Sequence, residues 1–214
     1  MRPALIGLSL FVWVAPALAQ DRSIRLFNGR DLEGWSVVAD EGSGEPAGTW
    51  TVADGVLKCA GRPIGYLKTE KEYGDYALAL EWRWPAGTQG GNGGVLVHAS
   101  TPRALGVWPR SIEVQLAKDD AGDFWIIGTE LDVPDETARR TDRRYKNLTE
   151  DSEKPTGEWN RMEIVCRGST IQVNVNGHLV NEATNCSVTR GAICLQSEGA
   201  PMEFREIVIT PLAK

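Results

Sequence analysis

The chain has 214 residues, with 23 Lys or Arg against 29 Asp or Glu and a formal net charge of −6. That length supports one sizeable domain with a real core. The acidic balance argues against nucleic acid or an anionic membrane as partner and is compatible with neutral sugars.

The first 19 residues read as a leader. Arg2 gives a positive start, "LIGLSLFVWVAPALA" is a short apolar run, and Ala17-Leu18-Ala19 has the form that signal peptidase prefers. Cleavage is expected after Ala19, leaving one domain over 20–214 with 22 basic and 29 acidic residues. The apolar run is short and interrupted by Pro16, and no later segment is long enough to span a bilayer. The expectation is a secreted or periplasmic protein with no membrane insertion after cleavage. A retained N-terminal anchor is the competing reading.

Strand signals then dominate. "TWTVADGVLKC" reads as strand, Asp54-Gly55 turn, strand. "DYALALEWRW" alternates from Tyr76 to Trp84, and "GGVLVHAS" follows a glycine-rich turn. In "SIEVQLA", Ile112, Val114 and Leu116 alternate with Glu113 and Gln115, the period of a half-buried strand. Residues 129–158 break the rhythm: they are highly charged, carry Arg139, Arg140, Arg143 and Arg144, and show no period. They read either as a solvated, self-neutralising loop or as a lid over a substrate face. "WNRMEIVCRG", "TIQVNVNGHLVNEA", "GAICLQSE" and "MEFREIVITPL" complete the run, with a second hairpin turn at Asn176-Gly177. Many short strands without interleaved helices predict an all-β antiparallel two-sheet sandwich, or jelly roll.

The four cysteines, Cys59, Cys166, Cys186 and Cys194, form no CxxC pair, so a zinc site is not expected. In an exported chain disulfides are the default. Cys186–Cys194 is the preferred pair because it closes a short loop between two predicted strands; four buried free thiols are the alternative.

Candidate chemistry comes from the polar phases of these strands. Glu81 and Arg83 share one face of "YALALEWRW", about 7 Å apart. Glu113 and Gln115 share a face, and in "GVLVHA" so do Leu96 and His98. If the strands are neighbours, Glu81, Arg83, His98, Glu113 and Gln115 form one patch on a concave sheet. Trp108 precedes the Glu113 strand, and Asp123, Phe124 and Trp125 follow it. Aromatic faces beside carboxylates and amides suit sugar rings, so Trp108, Asp123 and Trp125 join Gln115 as candidate substrate-binding residues. Taken alone, each polar residue reads as strand-surface charge and each Trp as core; the cluster with aromatics is what points to a site. Gln196 and Glu198, and Glu203 and Arg205, either cover sheet surface or edge the same cleft. "GGNGG" (90–94) is read as a turn, not a phosphate cradle.

The order of several short motifs adds a resemblance. "LFNGRDLEGW" (26–35), "GYLKTEKEYGDYALALEWRW" (65–84), "NGGVLVH" (92–98) and "IEVQL" (112–116) are followed by "GEWNRMEI" (157–164), "VNG" (175–177), "GAICLQSEG" (191–199) and "MEFREIVITPL" (202–212). Together they resemble the 3-keto-disaccharide hydrolase family over nearly all of the chain after the leader. The resemblance implies a concanavalin A-like lectin/glucanase jelly roll whose concave face binds an oxidised glycoside. Relatives carry Asn-Ser-Gly where this chain has Asn92-Gly93-Gly94, and Arg where it has His98. A ketone at C3 acidifies the C2 proton, so a base can form an enolate and the C1 substituent leaves. That chemistry needs a base, an acid for the leaving oxygen, and donors or a divalent metal for the enolate oxygen. Glu113 is the candidate base and Glu81 the alternative base or acid. Arg83 and His98 are candidate enolate stabilisers. Direct hydrolysis by the Glu81/Glu113 pair stays open, as does a non-catalytic carbohydrate-binding module of the cell envelope.

Overall fold

The computed structural model describes residues 23–213, apart from Ser43, Glu45, Glu150 and Asp151. The expected leader and its cleavage site lie outside the described residues. In chain order the first strands are β1 (Ile24–Arg25), β2 (Trp35–Ala39), β3 (Trp50–Ala53), β4 (Val56–Cys59), β5 (Gly65–Thr69) and β6 (Tyr76–Arg83). Next come β7 (Gly94–Ala99), β8 (Ser111–Gln115), β9 (Phe124–Ile127), the helical turn α1 (Glu136–Arg139), β10 (Arg140–Thr141) and β11 (Arg144–Tyr145). The chain closes with β12 (Asn160–Arg167), β13 (Thr170–Val175), β14 (His178–Ala183), β15 (Ala192–Ser197) and β16 (Met202–Pro211).

These strands form two antiparallel eight-stranded sheets. The first runs β14-β13-β12-β6-β16-β4-β3, with β1 on β16; the second runs β10-β11-β9-β8-β7-β15-β5-β2. Non-consecutive neighbours, β6 beside β16 and β7 beside β15, give the crossed connectivity of the expected jelly roll. Both read hairpins form, with positive φ at both turn residues: 54° and 75° at Asp54-Gly55, 51° and 86° at Asn176-Gly177.

Alternation assigns the core. Leu78, Leu80 and Trp82 of β6 and Met162 and Ile164 of β12 point inward from the first sheet. Val95, Val97, Ile112, Val114, Phe124, Ile193 and Leu195 meet them from the second. Each fully buried side chain of this size contributes roughly 1.5–3 kcal/mol. A smaller apolar cluster of Tyr66, Leu96, Ala99, Val107, Ile127, Ala192 and Cys194 covers the other face of the second sheet.

Two expectations are corrected at this level. All four cysteines are free and buried. Cys186 belongs to the inter-sheet core and Cys194 to the cluster on the far face, so the second sheet separates the preferred pair. The described residues of 129–158 also carry more regular structure than their composition suggests. β11 pairs with β9 (Arg144↔Trp125, Tyr145↔Phe124) and β10 with β11, which extends the second sheet at its edge. The segment's arginines are only partly neutralised from within: Arg140 pairs with Glu136 at 2.7 Å, whereas Arg144 bonds Asp120 at 2.6 Å and Asp123 at 2.5 Å.

Asp123 is fully buried, and it also accepts the Asn147 N–H at 2.7 Å. Removing its cation strands a buried carboxylate. Arg144→Ala should therefore destabilise the fold by about 3 kcal/mol, the low end for a buried pair because Arg144 keeps about a third of its exposure. Urea denaturation of the two proteins measures the difference.

Candidate functional site

The outer face of the second sheet gathers the chemistry. Register places Glu113 of β8 between Trp125 of β9 and Leu96 of β7, and Leu96 in turn beside Cys194 of β15. In the next row Gln115 lies opposite Gly94, and Gln196 of β15 opposite Tyr66 of β5. Gly94 is the open square in this pattern. A Cβ there would sit 2.6 Å from Gln196 Oε1 and 2.8 Å from Glu113 Oε1. The absent side chain lets the two polar groups approach across the strand.

Above this floor is a cleft of about 120 Å³. Trp108 and Trp125, with Leu105 and Ile127, form its apolar walls. Glu113, Gln115, Glu198, Asn92 and Arg143 supply its polar groups. Trp108 is propped from below: its ring lies 6.3 Å from that of Tyr66, and Leu105 and Trp108 exchange backbone hydrogen bonds at 3.2 and 3.0 Å. Arg143 arrives from the β10–β11 turn, with its guanidinium 5.6 Å from the centre of the Trp125 ring. The Trp125 indole N–H is buried without a partner among the described residues.

Burial, with the nearby Glu198 charge adding to it, pushes the Glu113 carboxyl up to about 8; the Gln196 amide and Arg143 pull the other way. Burial alone pushes Glu198 up to about 7. The cleft therefore holds two carboxyl groups that exchange their first proton near neutral pH. Among the described residues no group of three or more His, Cys, Asp or Glu is placed to hold a metal ion.

Of the residues singled out from sequence, Glu113, Gln115, Trp108 and Trp125 come together here. Glu81, Arg83, His98 and Asp123 do not. Glu81 and Arg83 face outward from the first sheet, the opposite side of the sandwich. There Arg205 bonds Glu81 at 2.6 Å and Arg83 bonds Glu203 at 2.7 Å, with both guanidiniums over the Trp159 ring. Glu203 and Arg205 are thus the partners of that pair and do not edge the cleft.

His98 fails for a different reason. Ala99 pairs with Ala192 and Leu96 with Cys194, so Val97 and His98 together oppose Ile193. This bulge, with φ 54° at His98, shifts the phase by one residue and turns the imidazole into the inter-sheet core. The ring lies edge-on to Tyr76 at 5.8 Å, and its Nδ1 is 3.1 Å from the Val188 carbonyl. Asp123 is consumed by Arg144 and Asn147. Phe124 points inward and Trp125 outward, as alternation requires.

Glu198, read with Gln196 as either sheet surface or cleft edge, lines the cleft. Two polar cleft residues were not singled out. Asn92 sits in the glycine turn, and Arg143 was one of four indistinguishable arginines. A wider groove of about 530 Å³ crosses the outer face of the first sheet, over Ala77, Ala79, Val165 and Val208. Its rim charges are already paired, Arg161 to Glu163 at 2.9 Å and Arg25 to Glu206 at 2.9 Å, and it has no aromatic wall. The smaller cleft is the candidate site.

The fold is an antiparallel jelly-roll sandwich with a carboxylate-and-tryptophan cleft on one sheet. The chain belongs to the family of 3-keto-alpha-glucoside-1,2-lyase-like domains, whose sequence profile matches residues 22–210. No curated protein matches the chain. Among solved structures it is similar to a candidate glycosyl hydrolase from Parabacteroides distasonis, at 23% identity and TM-score 0.66 over 90% of this chain and 95% of that one. A carbohydrate-binding module from Bacillus subtilis shares the fold at 12% identity and TM-score 0.60, over 83% and 95% of the two chains. A Bacillus licheniformis β-glucanase does so at 14% identity and TM-score 0.53, over 91% and 100%.

A raised carboxyl has a stability signature. Its folded-state pKa lies above the unfolded value, so its contribution is present below pH 4.5 and is lost as pH rises through about 8. Glu113→Gln should remove that loss. The variant is expected to be about 2 kcal/mol more stable than the parent at pH 8.5, roughly 4–8 °C in Tm, and little different at pH 4.5. Thermal melts across that range check it.

Proposed function

We propose that the cleft cleaves glycosides already oxidised to a ketone at C3, starting with removal of the C2 proton by Glu113. The observation that carries this reading is a nearly buried carboxyl group, 7% exposed, at the floor of a cleft walled by Trp108 and Trp125. The family's description supplies the reaction type, and the sugar-directed names of the fold's other members agree with a carbohydrate ligand. Trp108 and Trp125 stack on the apolar faces of the sugar, and Gln115 orients a hydroxyl. A base working near neutral pH benefits from a pKa raised toward that pH. The cation facing the developing enolate is Arg143, which takes the role expected of Arg83 and His98. Collapse of the enolate expels the C1 substituent and leaves a C1–C2 double bond, to which water adds if the overall outcome is hydrolysis. The leader-like first 19 residues support a secreted or periplasmic setting for this activity.

Purified protein should release the aglycone from a 3-keto-glucoside and leave the parent glucoside intact. Glu113→Gln keeps the shape and a hydrogen-bonding group but cannot take a proton. Its rate should fall by about 100- to 10,000-fold, measured by product release. Sugar binding without turnover by the unmutated protein would make the cleft a lectin site instead.

A further inference from the structure

Glu113 accepts a proton in this scheme, and the departing glycosidic oxygen must gain one. A sugar or alkyl alkoxide is a poor leaving group at neutral pH, so the cleft needs a second proton-transfer group. Among the described residues its lining contains one other carboxyl, that of Glu198.

Glu198 is held in place from both sides. It directly follows β15, where the Ser197 hydroxyl donates to the Pro63 carbonyl at 2.8 Å. After it, the Gly199 N–H donates to the Gly61 carbonyl at 2.7 Å, at a φ of 97° that suits glycine. The carboxyl Oε2 is shielded and has no hydrogen-bond partner among the described residues. Among the described residues no ion pair engages Glu198, unlike Glu81 and Glu203 on the opposite sheet. It is also shallower than Glu113: it keeps intermediate exposure where Glu113 is buried. A group at the mouth stands where an aglycone leaves, and one at the floor stands under the ring.

We infer that Glu198 is the second catalytic residue of the cleft, the general acid that protonates the departing glycosidic oxygen. This rests on the proposed 3-keto-glycoside cleavage. The proton count closes within the pair. The C2–H bond breaks, its proton goes to the Glu113 carboxylate, and its electron pair enters the enolate. The enolate then reforms the C3 carbonyl and the C1–C2 double bond, and the C1–O bond breaks. The leaving oxygen takes the proton of the Glu198 carboxyl. The pair begins and ends with one proton, first on Glu198 and finally on Glu113, and a single transfer through the cleft resets it. Both carboxyls are raised, so a singly protonated pair exists near neutral pH, and the form with its proton on Glu198 is the minor, reactive one.

The test compares two 3-keto-glucosides, one with a 4-nitrophenyl and one with a methyl leaving group, and follows C2 hydrogen–deuterium exchange in D2O by NMR. Glu198→Gln should lose about 100-fold or more on the methyl substrate and less than about 10-fold on the nitrophenyl one. It should keep C2 exchange, because Glu113 is untouched. In the parent protein the methyl-substrate rate should be bell-shaped, rising with pH as Glu113 ionises and falling as Glu198 loses its proton. Glu198→Gln should lack the alkaline fall. An equal loss on both substrates, loss of C2 exchange, or unchanged methyl-substrate turnover would overturn the assignment. Glu198→Asp, expected to keep the leaving-group preference in weakened form, separates this role from misfolding; a variant that melts like the parent yet loses both activities also counts against it. If the unmutated protein neither exchanges C2 nor releases an aglycone, the underlying reading fails as well, an outcome distinct from failure in Glu198→Gln alone.

Discussion

A carboxyl group buried on a sheet face is the constraint that organises the second sheet. Glu113 is 7% exposed, and no basic side chain pairs with it closely enough to form a salt bridge among the described residues. Such a group is costly to ionise and is tolerated only where the surrounding structure fixes it. The fixing elements are identifiable. Ile112 and Val114 anchor the strand on its core side, and Leu96 and Trp125 flank Glu113 on the outer face. The missing side chain at Gly94 admits Gln196. The same apolar surroundings that raise the carboxyl also provide the floor on which a sugar ring can stack.

The edge of the sheet follows from a second buried carboxylate. Asp123 is fully enclosed, and the pairs it makes with Arg144 and the Asn147 backbone fasten β11 against β9. That attachment carries the β10–β11 turn to the cleft and sets Arg143 over Trp125. A charged segment with no periodicity thus becomes a wall of the site. Its arginines divide by partner: Arg144 is neutralised by Asp120 and Asp123, whereas the nearest acid to Arg143 is the exposed Asp142, at 3.8 Å.

How much of this the sequence made legible depends on the range of the interaction. Period-two alternation is local, so the strands, both hairpins, the sandwich and the outward phase of Glu113 and Gln115 were readable. Alternation says nothing about which of two sheets a strand joins, and "YALALEWRW" joined the other one. It also fails at any inserted residue: one bulge opposite Ile193 sends His98 into the core while Leu96 stays outside. The Asp123–Arg144 bond spans 21 residues, and the Arg205–Glu81 bond spans 124. Pairings at such separations leave no periodic trace, and that is why Asp123 and Glu81 were read as available when they are engaged. Cysteine spacing failed likewise, because a separation of eight residues in the chain does not reveal that a sheet lies between two thiols.

The two outer faces of the sandwich carry similar residue types, and the contrast between them locates the chemistry. On the first sheet, Arg83, Glu203, Arg205 and Glu81 neutralise one another around Trp159, within 2.6–2.7 Å, and at partial exposure such pairs contribute little. On the second sheet, Gln196 Oε1, Glu198 Oε2 and the Trp125 indole N–H are shielded from solvent with no partner among the described residues. Hydrogen-bonding groups held in that state cost the fold stability. Of these groups Glu198 and Trp125 line the cleft, and a ligand that supplies their partners recovers that energy on binding.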